Sequence, residues 1–462
     1  MLKSKSVDML NGPIVKGIMQ IAIPLMVMNI LQTLFNAADV AIVGIFVGDN
    51  AVAAVGSNGP LINLINGLFI GVSVGANILI ARFIGSGESE RVEKVVGTSI
   101  LLALISGILV MGITLIFARS FLILMSCDPA VLELSTKYLR IYFLGAPFML
   151  VYNYSAQILR AKGDAVRPMI YLIIAGVLNV ILNVIFVAIF GLGVSGVAIA
   201  TVVSQAVSAV LAFIRLLFEK SVIRFKWKRF RFYKKEIKDL LLIGIPTGIQ
   251  GCMFSLANVF IQSTVNSMGK DAMAGVSIST QFDAILYYVI YSPAVAAMSF
   301  VSQNYGAKNL QRIKEVMKKA SLIIIALGVI VGGLIMLLNK PLFSLMTDSE
   351  NVMWYAKQRI IVLCSTYYLC GIMEVFIYSL RAINKSIRSM IISIIFACVY
   401  RIFWVKLIFP LCAEMYFLYF AWPTSWILSI IVGAIVFTKE FRKFKKKVQL
   451  DSEKESALKT AI

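Results

Sequence analysis

The chain has 462 residues, 60% of them hydrophobic and 15% charged, and its 44 lysines and arginines outnumber 23 acids for a net charge of +21. That leaves too little polar surface to cover a soluble domain of this size, so the composition indicates a polytopic membrane protein. Histidine is absent and the six cysteines show no metal-ligand spacing. A histidine-based triad, a haem or a zinc site would therefore lack ligands, and no cofactor is expected.

Lys3, Lys5 and Lys16 precede a first apolar run of about 30 residues, too long for the core of a cleavable signal, so the first helix is expected to serve as its own insertion signal. Apolar stretches long enough to span a bilayer, about 20 residues each, then recur along the chain. The predicted spans are 17–46, 52–80, 93–118, 131–158, 168–190, 194–218, 238–267, 272–303, 314–339, 352–380, 388–410 and 415–437. Basic residues gather in alternate loops: Arg82, Arg91 and Lys94; Arg160, Lys162 and Arg167; Lys308, Arg312 and Lys314; Arg381, Lys385 and Arg388. The most basic segment, EKSVIRFKWKRFRFYKKEI (219–237), joins two sets of six spans, and the tail TKEFRKFKKK (438–447) resembles it. The opposite loops, VGDN (47–50), GLGV (191–194) and SMGKDA (267–272), are nearly free of lysine and arginine. The positive-inside rule then places both termini and the basic linker in the cytoplasm, at a plasma membrane. Charge distributed in this way follows topology and argues against a nucleic-acid partner; anionic lipid is the expected neighbour. The final residues, 451–462, are polar and are expected to be disordered.

The halves resemble each other at an offset of 221 residues. LRAKGDAVRPMI (159–170) aligns with LRAINKSIRSMI (380–391), GDNAVAAV (48–55) with GKDAMAGV (269–276), and FIGSGESERV (83–92) with NYGAKNLQRI (304–313). Matches in the same order indicate a duplication, and an even number of spans per half makes the repeat parallel. The fold class is thus an all-α membrane protein of twelve helices in two six-helix lobes. The expected organisation is a cytoplasmic segment 1–16, an N-lobe 17–218, the linker 219–237, a C-lobe 238–437 and a basic, disordered tail 438–462.

Polar residues inside the spans are the functional candidates, because a charge at bilayer depth is costly unless it faces protein or water. Asp39 lies in the first span, within LFNAADVAIVG (34–44), with no basic neighbour in sequence. Asn179 and Asn183 are four apart and share a face of the fifth span, and Thr201 offers a hydroxyl from the sixth. Together they form an expected ion-coupling group. In the second half the obvious acids are Asp283 and Glu374, the expected functional pair, with Glu414 at the outer interface. No acid takes the place of Asp39 in the seventh span, which offers Asn258 and Gln262, so the first lobe is expected to carry the coupling. Met253, Tyr287, Tyr288, Tyr291 and Met298 could line a deformable cavity for lipophilic cations. Pro24 and Pro246 occupy equivalent places in spans one and seven and are hinge candidates.

The chain resembles the MATE (multidrug and toxic compound extrusion) transporters, of the bacterial DinF-like or MepA-like branch. The resemblance covers essentially the whole chain and rests on IPLMVMNILQTLFNAADVAIVG, ARFIGSGESERV, LRAKGDAVRPM, GLGVSGVAIATVVSQ, FVSQNYGAKNLQRI, and RIFWVKLIFP followed by WPTSW. It implies export of amphipathic, often cationic compounds in exchange for protons or sodium; a monomer is expected. It also implies that Asp39 is the acidic residue of the first helix, that Asn179 and Thr201 are its partners, and that Asp283 matches an acidic position in helix eight. Asn183 departs from the pattern, since many members carry an aspartate there, and the missing charge tilts the expectation toward protons. Two rivals are a flippase for a lipid-linked precursor and a channel or membrane enzyme. A flippase would want a basic cavity, yet Arg140, Arg359, Arg401 and Lys406 are the few basic residues within the spans, several near helix ends. An enzyme would want convergent catalytic groups, and the chain offers none.

Overall fold

The computed structural model describes residues 6–412 and 414–460; Lys3, Lys5, Ala461 and Ile462 of the predicted terminal segments lie outside them. Among the described residues the regular structure is helical throughout, with no strand. The long helices are α1 (Ile14–Phe46), α2 (Asp49–Ser86), α3 (Ser89–Leu124), α4 (Pro129–Leu144), α5 (Ala146–Ala161), α6 (Val166–Asn183) and α7 (Gly193–Leu217). They continue with α8 (Lys234–Asn266), α9 (Lys270–Gly306), α10 (Leu310–Leu337), the short α11 (Asn339–Ser344), α12 (Glu350–Ala382), α13 (Ser386–Ser393), α14 (Tyr400–Phe403), α15 (Met415–Tyr419) and α16 (Ala421–Thr460). Among the described residues eleven helical rods are long and apolar enough to cross a membrane.

The twelfth is the predicted span 131–158, which is not one helix but two of 16 residues each, α4 and α5. The break falls at Gly145, two residues before Pro147, whose missing N–H removes a helical hydrogen bond. The tail also differs from expectation. Helix α16 continues to Thr460, through a segment expected to be disordered. Residues 439–460 hold no glycine or proline and are rich in Lys, with Glu next, both good helix formers. Short π-helical turns interrupt the α-helix at Val184–Ile189, Ile394–Val399 and Trp404–Ile408.

The chain forms two contact units. One is chiefly Gln20–Ile84 with Glu88–Cys252; the other holds Asp8–Met19, Gly85–Gly87 and the chain from Met253. The basic segment 219–237 and the first half of α8 therefore belong to the first unit. That segment is not a loose connection. Arg229 pairs with Glu90 at 3.3 Å and Glu93 at 3.6 Å, and Lys226 also pairs with Glu93. Phe225 meets Phe213, Trp227 and Phe230 edge-on at 5.1–5.6 Å. At the start of the segment Glu219 takes Lys162 at 3.0 Å and Arg215 at 2.6 Å. Burial alone would raise the Glu219 pKa, but these cations and the Lys220 N–H hold it below the ordinary value.

Small residues set the closest packing in the first unit. Gly71 and Gly75 of α2 lie four apart, as do Gly244 and Gly248 of α8, and the two pairs face each other. A Cβ on Gly71 would sit 2.5 Å from the Gly248 backbone, and one on Gly244 would sit 2.6 Å from the Val72 carbonyl oxygen. Membrane helices approach backbone to backbone at such pairs because lipid supplies no hydrophobic drive and dispersion must do the work. Gly71→Ala is therefore expected to cost about 1–3 kcal/mol by forcing the helices apart. A lowered midpoint for detergent-solubilised protein is the readout; an unchanged midpoint would show that the two backbones have room to separate.

The duplication is written in the backbone as well as in the side chains. Gly48 and Gly269 adopt φ of 102° and 103°, Gly87 and Lys308 adopt 74° and 57°, and Gly163 and Asn384 adopt 98° and 66°. Each pair is separated by 221 residues (269 − 48, 308 − 87, 384 − 163), the offset at which the sequences align.

Candidate functional site

In the first unit α1, α6 and α7 bring the four predicted coupling residues into one hydrogen-bonded chain. Asn183 Nδ2 donates to Asp39 Oδ1 at 2.5 Å and stands 3.3 Å from Asn179 Oδ1. Asn179 Nδ2 donates to Thr201 Oγ1 at 3.4 Å, and Thr201 returns its hydroxyl to the Val197 carbonyl at 2.9 Å. The i, i+4 spacing of the two asparagines makes this possible, since it stacks them on one face of α6. Asn183 is fully buried and Asn179 nearly so. The π-helical turn begins at Val184, directly after Asn183. Such turns widen the helix and recur at functional sites.

Asp39 opens on a cavity of about 370 Å³ whose wall includes Gln32, Asn36, Asn63, Asn66, Tyr138, Tyr142, Asn179, Thr201 and Gln205. No lysine or arginine lines it, and among the described residues none pairs with Asp39. The carboxyl is thus surrounded by neutral polar groups and aromatic faces. The Asn183 Oδ1 atom is buried without a hydrogen-bond partner among the described residues, an acceptor in reserve beside the carboxyl. The amides of α2 and the tyrosines of α4 were not anticipated. Their signal was the spacing of Asn63 and Asn66, three apart on an apolar helix, which places both on one face.

The second unit holds a separate cavity of about 430 Å³. Asp283, Glu374 and Tyr287 line it, together with Asn258 and Gln262. Asp283 is not free: its Oδ2 lies 2.5 Å from Arg359 Nη2, and Arg359 Nη1 also donates to Thr280 at 2.7 Å and Ser279 at 3.2 Å. Glu374 is buried, and its Oε2 has no hydrogen-bond partner among the described residues. Glu414 is exposed, just before α15. Met253, Tyr288, Tyr291 and Met298, expected to line a cavity, are not on this wall; Met298 is 1% exposed within the core. Tyr291 instead packs on Tyr287 at 5.3 Å. The cavity-facing positions of α9 are Val276, Thr280, Asp283, Ala284 and Tyr287, a stripe at helical spacing that ends before Tyr291. Pro24 lies inside α1 and Pro246 inside α8, between Gly244 and Gly248.

Arg359 and Arg401 are the larger surprise. They are two of the four basic residues expected within the spans, several of them near helix ends, and no site role was expected of either; both are at most 8% exposed and both line the second cavity. A buried arginine is legible in sequence only as a charge inside an apolar run, and Arg359 lies ten residues into α12, after the more polar turn that opens it.

Comparison with known proteins agrees with this architecture. The MatE family model matches residues 24–185 and 246–404, one match in each half of the repeat. The probable multidrug resistance protein YoeA of Bacillus subtilis is 30% identical over 80% of this chain and 82% of its own length. The FAD transporter of Shewanella oneidensis is 25% identical over 84% of this chain and 86% of its own. An outward-facing multidrug resistance MATE transporter of the MOP superfamily superposes with a TM-score of 0.86 at 25% identity, covering 96% of this chain and 99% of that one. With both halves matched over most of their length, the chain belongs to the MatE family of membrane transporters.

Proposed function

We propose that this transporter is a proton-coupled multidrug exporter in which Asp39 is the coupling carboxyl. The observation that carries the reading is the Asp39–Asn183 hydrogen bond beside a cavity without a basic residue. A carboxylate can only accept, so it takes the Asn183 amide N–H. A protonated Asp39 can donate, and the amide then turns to offer its oxygen, the acceptor that is otherwise unused. Turning the Asn183 amide rearranges its contact with Asn179 and hence with Thr201. The change falls where α6 passes into its π-helical turn, so a small side-chain event is placed to shift backbone. Pro24, inside α1, is the matching hinge; Pro246 is its counterpart inside α8.

Coupling requires that proton and drug each favour different states of the site. Protons are the ion we favour over sodium, because Asp39 is the one carboxylate on the cavity wall and the unused Asn183 Oδ1 beside it suits a protonated carboxyl. Tyr138 and Tyr142 present aromatic faces suited to amphipathic cations. Relatives named for multidrug resistance and for FAD transport leave the family's cargo broad. On this reading the chain works as a monomer in the plasma membrane, and the loop charges support both termini in the cytoplasm.

A proton gradient equivalent to 100 mV supplies about 2.3 kcal/mol per charge, enough for roughly 50-fold accumulation at one proton per drug. Dye uptake into everted vesicles should therefore follow an imposed pH gradient and ignore sodium. Uptake that follows sodium and ignores pH would reverse the assignment of the ion.

A further inference from the structure

We infer that the cavity of the second unit binds an anionic group attached to a flat aromatic body, with Arg401 as its anchor. Two guanidinium groups reach this cavity, and they are not equivalent. Arg359 is neutralised by Asp283 at 2.5 Å and further held by Thr280 and Ser279. Arg401 has no carboxylate within 4.0 Å among the described residues; its Nε donates to Ser425 Oγ at 3.1 Å, and its plane lies 5.3 Å from the Trp422 ring. It is 5% exposed and lines the cavity. A buried guanidinium without a counter-charge is unfavourable, and a ligand that supplies the charge removes that cost. The planar fork suits a carboxylate or phosphate, which it grips with two parallel hydrogen bonds. Trp422 and Tyr419, with ring centres 5.7 Å apart, give the attached body an aromatic face to lie against. Glu374 shares the wall without pairing with Arg401, and its Oε2 is buried with no hydrogen-bond partner among the described residues. A volume of about 430 Å³ falls within the range of small-molecule sites.

This inference rests on membership of the transporter family and not on Asp39, so it is tested by equilibrium binding, which remains readable if proton coupling fails. Full-length protein in phosphatidylcholine nanodiscs would be titrated calorimetrically with naphthoate, naphthyl phosphate, neutral naphthamide and naphthylmethylammonium. Both anions should bind about 10-fold or more tightly than the amide. Arg401→Gln should weaken the anions by about 10- to 100-fold and leave the amide within about twofold. Arg401→Lys, which keeps the charge without the fork, should recover part of the loss. Should the glutamine variant not fold, the lysine variant and the ligand series on the unaltered protein decide the matter. Repeating the titration with phosphatidylglycerol in the nanodisc identifies the natural source: competition assigns the site to a lipid headgroup, no competition to a soluble anion, and either supports the anion site. Equal binding of anion, amide and ammonium, or a uniform loss of all ligands in Arg401→Gln, would overturn it.

Discussion

Asp39→Asn should reduce uphill dye uptake in everted vesicles from roughly 50-fold accumulation to none, while leaving exchange at equal concentrations in place. Asparagine keeps the shape of the side chain and can still accept from Asn183, so α1, α6 and α7 have no reason to separate. What it lacks is the ability to change charge. Downhill exchange needs only a cavity that opens alternately, whereas accumulation needs a group whose protonation differs between the two openings. The two assays on the same vesicles thus separate transport from coupling. Full accumulation in the variant would remove Asp39 from the mechanism, and loss of both activities with a lowered melting point would reduce it to a structural acid.

Asp283→Ala should destabilise the protein by about 3–5 kcal/mol, because it leaves Arg359 buried without its carboxylate. The lower end of that range is the better expectation, since Arg359 keeps Thr280 and Ser279 and faces a cavity that water can enter. Replacing both partners, as Asp283→Leu with Arg359→Met, should return most of the stability, because removing a buried pair outright also removes its desolvation cost. Thermal unfolding of the single and double variants provides the comparison. A single variant of normal stability that no longer transports would instead make Asp283 a functional acid, with Arg359 as its servant.

The two variants mark where sequence was informative. The spans were legible because hydrophobic runs and loop charges are strong, local signals, and the one misjudged span broke at Gly145–Pro147, a local signal given too little weight. The first site was legible because a carboxyl with no basic neighbour and two amides four apart need one another in a dry environment. In the second half the acids stood out, but their partners did not. Arg359 lies 76 residues from Asp283, and no periodicity within a single helix can announce such a pairing. Of the five aromatic and methionine candidates Tyr287 lines the second cavity, and the other four lie off its wall for a related reason. Composition says that such side chains are plentiful, while the wall of a cavity selects a few by their angle and depth on the helix.

The three paired positions of positive φ reach beyond this one molecule. In the first copy all three are glycine; in the second, two have become lysine and asparagine, yet the chain still turns the same way there. Since the two halves descend from one ancestor, drift has altered the letters more freely than the torsion angles. Ancestral reconstruction of the single half-length gene would do best to pin its alignment on these turning points and to restore glycine at each.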